Sequence, residues 1–179
     1  MLTSKTLQQF ITKHNIQAKI LHLKEHTRTV SDAARVLGVE EQQIIKSLVF
    51  LVADEPILVI ANGNAKIDSR KLAKRFEVGR KKVKLASAER ALEITGYVVG
   101  AMPPFGHKTH LSTHIDSGVT ALPVIYGGGG DIYAMLELRS KVLLQVTEAE
   151  ILSVVKEVST SVTGGDGVNP TEPEEKPDV

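Results

Sequence analysis

The chain opens with apolar positions spaced for a helix: Leu7, Phe10 and Ile11 share one face of residues 4 to 15. "AKILHL" follows as a short strand. In "TVSDAARVLGV" the helix period returns, with Val30, Ala33, Ala34 and Leu37 on one face and Gly38 placed to cap the end. "IIKSLVFLV" and "PILVIANG" predict two strands, joined by a hairpin at "ADEP". "DSRKLAKRF" predicts a helix entered at Asp68, a favourable N-cap. "KVKLA" is a short extended piece, and "SAERALEITG" is a helix running from Ser87 as N-cap to Gly96 as stop. After Gly100 the chain is loop-like. "HIDSG", "ALPVIYGGGG", "YAMLELRS" and "KVLLQV" then predict strands, and "TEAEILSVVKEV" a closing helix with Thr147 as N-cap. Strands cluster instead of alternating strictly with helices. This order predicts an α+β fold with a mixed sheet, not a doubly wound parallel sheet.

One residue breaks the strand pattern. In "IIKSLVFLV" both faces are apolar, as expected for a strand covered on both sides, yet Lys46 stands among them. Either it sits at the strand's start and reaches out to water, or it borders a cavity.

Length and composition narrow the setting. A chain of 179 residues, 42% hydrophobic, fits one globular domain with a core, with or without a tail. The domain is expected over residues 1–158 and a disordered acidic tail over 159–179. The last stretch, "TGGDGVNPTEPEEKPDV", holds five acids and one Lys and has almost nothing to bury. The remainder is modestly basic, which favours an anionic partner. No apolar run approaches the ~20 residues that span a bilayer, so no membrane partner is expected. The N-terminus lacks the features of a signal peptide, and a cytoplasmic location is expected. Zero cysteines exclude disulfides, thiolate catalysis and Cys-based zinc sites.

Four segments carry candidate chemistry. "KIDSRKLAKRFEVGRKKVK" holds nine Lys or Arg and two acids. Arg70, Lys71, Lys74 and Arg75 would cover the exposed side of its helix, with Lys81 and Lys82 following. Such a cluster either binds phosphate backbones through charge or is a solvated helix face. Without interleaved aromatics, sequence-specific base readout is not indicated. "HKTHLSTH" spaces His107, His110 and His114 for zinc only on a helix, and the prolines and glycine before it argue against one. "YGGGGDIY" is either a hairpin turn or a phosphate cradle, and its glycines permit close backbone approach. "GYVVGAMPPFG" is either a packed structural turn or a stiff loop whose free amides form an oxyanion site.

Together, "GVEEQQIIKSLVF", "DSRKLAK", "ITGYVVGAMPPFGHK", "ID" at 115 and 116, "VIYGGGG" and a later "LEL" resemble the YbaK family of aminoacyl-tRNA deacylases. That family includes the editing domain inserted in bacterial prolyl-tRNA synthetases. The resemblance covers roughly residues 5 to 155 in family order. Its most specific elements are the Lys of the "I-x-K-[ST]-L" strand and the loop from Gly100 to Pro104. It implies a mixed, strongly curved sheet with flanking helices, and hydrolysis of the ester joining a wrong, small amino acid to tRNA. No metal and no cofactor are implied.

By this resemblance Lys46 lies beside the aminoacyl ester, and backbone groups of Gly100, Ala101 and Met102 hold the carbonyl or terminal ribose. Substrate contacts are expected from His26, Ser47, Pro104, Phe105, Gly106, Gly127, Gly128 and Gly129. The basic segment would hold the tRNA acceptor end, and a synthetase is a possible further partner. A protonated Lys46 would act electrostatically. Burial lowers its pKa and a nearby phosphate raises it. Ser47 faces the other side of a regular strand, so water is the expected nucleophile.

The sequence also departs from the family. Several bacterial members carry Ser in the glycine-rich turn and Asp shortly before the final "EL", where Gly128 and Met135 stand here. Many have an aromatic before the first long helix, and "KEHTRTV" offers none. The family's cysteine specificity therefore does not transfer. Two alternatives remain open: a module that captures aminoacyl-tRNA or a synthetase without hydrolysis, and a nucleotide or small-anion binder built on the glycine-rich turn.

Overall fold

A computed structural model describes residues 1–27 and 29–156. The tail expected over 159–179 lies outside that range. Helix α1 (Ser4–Lys13), strand β1 (Ala18–His22) and helix α2 (Val30–Leu37) lead into strands β2 (Ile45–Val52) and β3 (Glu55–Asn62). Next come α3 (Ser69–Arg75), β4 (Val83–Leu85), α4 (Ala88–Thr95), β5 (Ser112–Asp116) and the short α5 (Ser117–Thr120). Strands β6 (Val124–Gly128) and β7 (Ala134–Arg139), helix α6 (Ser140–Thr147) and strand β8 (Glu150–Leu152) complete the fold. The architecture is mixed α+β, as the clustering of strands predicts. Its strands divide into a sheet of order β4-β2-β3-β5-β8 and an antiparallel sheet of order β1-β7-β6. In the larger sheet β4, β2 and β3 are antiparallel neighbours, while β3, β5 and β8 run parallel. The sheets meet at a parallel bridge between Ile44 and Tyr126.

Local chemistry sets most boundaries. Ala53 and Asp54 both take positive φ (49° and 70°), which matches the right-handed twist of a two-residue hairpin. Thr29, Asp68 and Ser87 each accept a backbone amide at a helix start. Gly38 and Gly96 end α2 and α4 in the left-handed region.

The two faces of β2 bury into different cores. Ile45 and Val49 join Leu58 and Ile60 of β3, Leu7 of α1 and Leu136 of β7 in the main core. Phe50 and Val52 face the other way, onto Leu72 and Ala73 of α3. Helix α2 sets Ala33 and Ala34 against Ile44 and Met135 in a third cluster.

The C-terminal elements differ from expectation. "KVLLQV", predicted as a strand, is the body of α6. "TEAEILSVVKEV", predicted as a helix from Thr147, instead contributes β8 within its described part. Thr147 is the last residue of α6, and its hydroxyl donates back to the Leu143 carbonyl (2.7 Å). Leu143 is fully buried and Leu144 and Val146 pack beside it, so one helical face is consumed by the main core. Glu148 then turns the chain with φ 49°, and the next residues extend along β5. A short apolar run does not distinguish helix from strand by period alone, and here the open edge of β5 decides.

The "ID" pair closes this end of the sheet. The buried Asp116 carboxylate accepts the amides of Gly118 (3.0 Å), Val154 (2.9 Å) and Val155 (3.3 Å). Asp116→Ala would orphan the buried Val154 amide, at a cost of about 1–3 kcal/mol, and remove the partner of the part-buried Gly118 and Val155 amides. Chemical denaturation should register a loss of at least about 2 kcal/mol. A loss within about 0.5 kcal/mol, typical of neutral surface sites, would show the clamp to be dispensable.

Candidate active site

The site is built on an interrupted strand edge. Strand β3 covers one edge of β2 along its length. On the other edge β4 pairs only with Phe50–Val52, and β6 forms a main-chain bridge only at Ile44. The stretch between, Lys46 to Leu48, has no strand partner there among the described residues. The Ile44 carbonyl accepts from Gly63 on the β3 side (2.6 Å), and the Val49 carbonyl accepts from Ala86 on the other (2.9 Å). Strand alternation therefore turns the main-chain N–H and C=O of Ser47 toward the open edge. A cleft of about 260 Å³ occupies the gap. Its walls are residues 44–48 of β2 and its approach, Val30 and Ala33 of α2, Val99, Gly100 and Met102 of the loop after α4, and Gly128 and Met135 of the β6–β7 hairpin.

Among the described residues Lys46 is the one charged side chain lining this cleft. It is half-buried, its Nζ donates to the Ala65 carbonyl, and loss of hydration pulls its pKa below the usual lysine value. The turn carrying Ala65 is itself braced. Asn64 donates to Glu41, and Glu41 also accepts from Ser31 of α2. One carboxylate thus ties the Lys46 anchor to the helix across the cleft.

Opposite Lys46, the loop after α4 offers backbone donors. Its base is fixed by the buried Thr95 hydroxyl, which donates to the Ala91 carbonyl (2.7 Å) and accepts from the Tyr97 amide (3.1 Å). A tight turn follows, closed by the Ala101 amide on the Val98 carbonyl (3.1 Å). Gly100 has φ 93°, a conformation that excludes most side chains, and a Cβ there would meet nothing within 4 Å. Among the described residues the amides of Gly100 and Met102 make no hydrogen bond. The Ala101 carbonyl accepts from the Gly130 amide (2.9 Å), which fixes the loop to the hairpin. Stiff, unpaired donors at a partly dry cleft are what a developing oxyanion requires.

The glycine run exists for close backbone crossing. A Cβ on Gly128 would lie 2.4 Å from the Met102 carbonyl oxygen and 2.7 Å from the Ala101 carbonyl. On Gly129 it would lie 2.5 Å from Ala134 backbone, and on Gly130 2.7 Å from the Ser4 amide. The amides of Gly129 and Gly130 are taken by the Ala134 and Ala101 carbonyls. The Asp131 carboxylate accepts the Ser4 amide at the start of α1 (2.9 Å). The stretch is a hairpin turn, not a phosphate cradle, and the small-anion alternative loses its basis.

The expected site residues fall into three groups. Lys46, Ser47, Gly100, Met102 and Gly128 line the cleft. Ala101 lies behind it, buried, with its carbonyl in the hairpin contact. Pro104, Phe105, Gly106, Gly127, Gly129 and His26 are outside the lining. Phe105 is buried and stacks on Phe10 of α1 (6.0 Å between centroids), Gly106 passes beside Leu7 and Phe10, and Gly127 backs onto Ile45 and Pro104. These residues shape the cleft from behind. His26 is solvent-facing, next to Tyr133.

Sequence reasoning missed Thr27, Val30, Ala33, Ile44 and Val99 as lining residues. A small residue at 33 on an otherwise packed helix face was the available signal, and nothing local pointed to the Ala65 carbonyl.

The basic segment is unevenly committed. Arg75 forks onto Glu150 (2.7 Å twice), and Arg70 forks onto Asp68, whose pKa falls to about 2 chiefly through that hydrogen bond. Lys71 donates to the Val155 carbonyl (3.0 Å). Lys74, Lys81 and Lys82 are exposed and form no ion pair among the described residues. Helix α3 packs on the same face of β2 that carries Lys46. The three histidines are not gathered: His107 bonds the Pro103 carbonyl and His114 is buried in β5. Among the described residues no group of three or more His, Cys, Asp or Glu is placed to hold a metal, and no helix is long and apolar enough to cross a membrane.

Comparison with known proteins points the same way. The family model described as the aminoacyl-tRNA editing domain matches residues 24–146. YwhH of Bacillus subtilis is 27% identical over 151 residues, 84% of this chain and 94% of that protein. EbsC of Enterococcus faecalis, named as a candidate Cys-tRNA(Pro)/Cys-tRNA(Cys) deacylase, is 27% identical over 70% of this chain and 76% of its own length. A solved structure described as a candidate trans-editing enzyme for prolyl tRNA synthetase superposes with a TM-score of 0.80. It is 28% identical and covers 86% of this chain and 97% of that one.

Proposed function

Because the chain belongs to the aminoacyl-tRNA editing domain family, we propose that it hydrolyses the ester linking a small amino acid to the 3′ end of tRNA, acting in trans. The observation that supports this is that Lys46 lines one cleft with Gly100 and Met102, whose amides make no hydrogen bond among the described residues. Water adds to the ester carbonyl carbon, and the oxygen that gains charge is met by the loop amides. The Lys46 ammonium adds a fixed positive charge on the facing wall. Collapse breaks the bond to the ribose oxygen, which leaves with a proton and returns intact tRNA.

The size and lining of the cleft support a small side chain. Val30, Ala33, Ile44 and Met135 leave an apolar space of about 260 Å³ that the ester and ribose must share. The exposed Lys74, Lys81 and Lys82 would attract the acceptor stem without reading its sequence. A synthetase partner would add tRNA selection.

A second reading has one observation in its favour. Among the described residues no carboxylate or imidazole lines the cleft to serve as general base, and the domain would then capture aminoacyl-tRNA without cleaving it. A panel of labelled Ala-, Ser-, Thr-, Cys- and Phe-tRNA under excess protein separates the two. Deacylation predicts accelerated ester loss from at least one small amino acid and none from Phe. Binding without loss from any substrate supports capture, and equal loss from all would refute selection by the cleft.

A further inference from the structure

Six large apolar residues are exposed among the described residues, and four of them are Met1, Val99, Ile132 and Tyr133. They are neighbours. Met1, Ile132 and Tyr133 line one surface concavity together with Val98, and the next residue, Val99, stands on the rim of the cleft. Val99 is 58% exposed and Tyr133 48%, with no core role to explain them. The tip carrying Tyr133 is nonetheless rigidly held. The Leu23 amide donates to the Tyr133 carbonyl (2.7 Å), and the amide of cleft-lining Thr27 donates to the Ile132 carbonyl (3.2 Å). The His26 ring lies beside the Tyr133 ring, 6.4 Å between centroids and tilted by 59°. An exposed aromatic pair on a fixed backbone, contiguous with a cleft, is a stacking surface and not a loose edge.

We propose that Tyr133, with His26 and Val99 at its sides, stacks the unpaired terminal base of the tRNA. This rests on the deacylase reading. Only one ribose separates that base from the ester. With the ester between Lys46 and Gly100, the base must land on a surface bordering the cleft. Among the described residues the other borders carry no aromatic ring: the α2 side presents Thr29 and Ser31, and the β2 side leads to Lys46. Stacking on an aromatic face tolerates any base, which fits a 3′ end of invariant sequence on tRNAs that differ elsewhere. Lys24 stands along the same edge and can meet a backbone phosphate behind the base, while the one acid lining the concavity, Asp131, is engaged by the Ser4 amide.

The test uses an acceptor-stem minihelix with 2-aminopurine as its terminal base and alanine attached through an amide the protein cannot hydrolyse. Binding to the unsubstituted full-length protein should quench the fluorescence. Tyr133→Phe should quench equally, because the ring does the work. Tyr133→Ala should remove the quench and weaken binding about tenfold to a hundredfold, with an unchanged melting temperature, because residue 133 is held through its backbone. Binding without quenching, or undiminished quenching in Tyr133→Ala, would overturn the proposal. So would a dimer that buries this face and persists when RNA is added. Release of alanine from the ester-linked minihelix, measured alongside, keeps the two claims apart. Release without quenching rejects the stacking surface alone, and neither release nor binding rejects both.

Discussion

Lys46→Ala should slow single-turnover ester hydrolysis by about 10²- to 10³-fold, the loss typical when one preorganised charge or donor is removed from a developing oxyanion. Lys46 is half-buried, so the ammonium acts there through less screening than at an open surface. Removing it leaves the fold intact, because the turn that accepts its hydrogen bond is also held by Asn64 and Glu41. Lys46→Arg should not restore the rate, since a planar fork does not reproduce a compact point charge held at one carbonyl.

The pH dependence has a definite sign. Burial lowers the Lys46 pKa from its ordinary 10.5, so the charged form is lost at a lower pH than for an exposed lysine. The ratio of wild-type to Lys46→Ala rates should therefore fall as pH rises through that lowered value. The stability contribution runs the other way. The unfolded chain holds the proton more tightly, so the Lys46 contribution to stability grows as pH rises between the lowered folded pKa and the ordinary one. A rate ratio that stays flat across this window would remove the ammonium from the mechanism.

Gly128→Ala is the second large effect. The added methyl would sit 2.4 Å from the Met102 carbonyl oxygen and 2.7 Å from Ala101, both backbone, so no side chain can swing aside. The loop must move or the hairpin must open. Overpacking of this kind costs about 1–3 kcal/mol of stability. Displacing the donors by a fraction of an ångström to an ångström should cost up to about 10²-fold in rate. Denaturation and single-turnover kinetics on the same preparation read the two losses separately. Unchanged kinetics would mean that the Gly128 contact does not position the loop.

Much of this was legible before the structure. Helix α2 follows from its apolar face and the Gly38 stop, α3 and α4 follow from their N-caps Asp68 and Ser87, and the β2–β3 hairpin follows from two strand patterns around a short polar turn. Lys46 was conspicuous because a charge in a doubly covered strand needs a reason. What could not be read was tertiary. "KVLLQV" is helical because Leu143 and its neighbours face the main core, and β8 is extended because β5 offers an edge. The glycine run was ambiguous between a cradle and a crossing until the partner backbone at residues 101 and 102 was located. Likewise the family resemblance placed Pro104 to Gly106 at the substrate, whereas here Phe105 and Gly106 pack toward α1.

The most direct measurement is the rate at which excess protein removes labelled alanine, serine, threonine or cysteine from tRNA, with wild type and Lys46→Ala side by side against uncatalysed loss. The predicted result is acceleration by wild type on at least one of the four, reduced to near background in the variant. No acceleration by wild type, or equal acceleration by Lys46→Ala, would contradict an ester-hydrolysing cleft organised around this lysine.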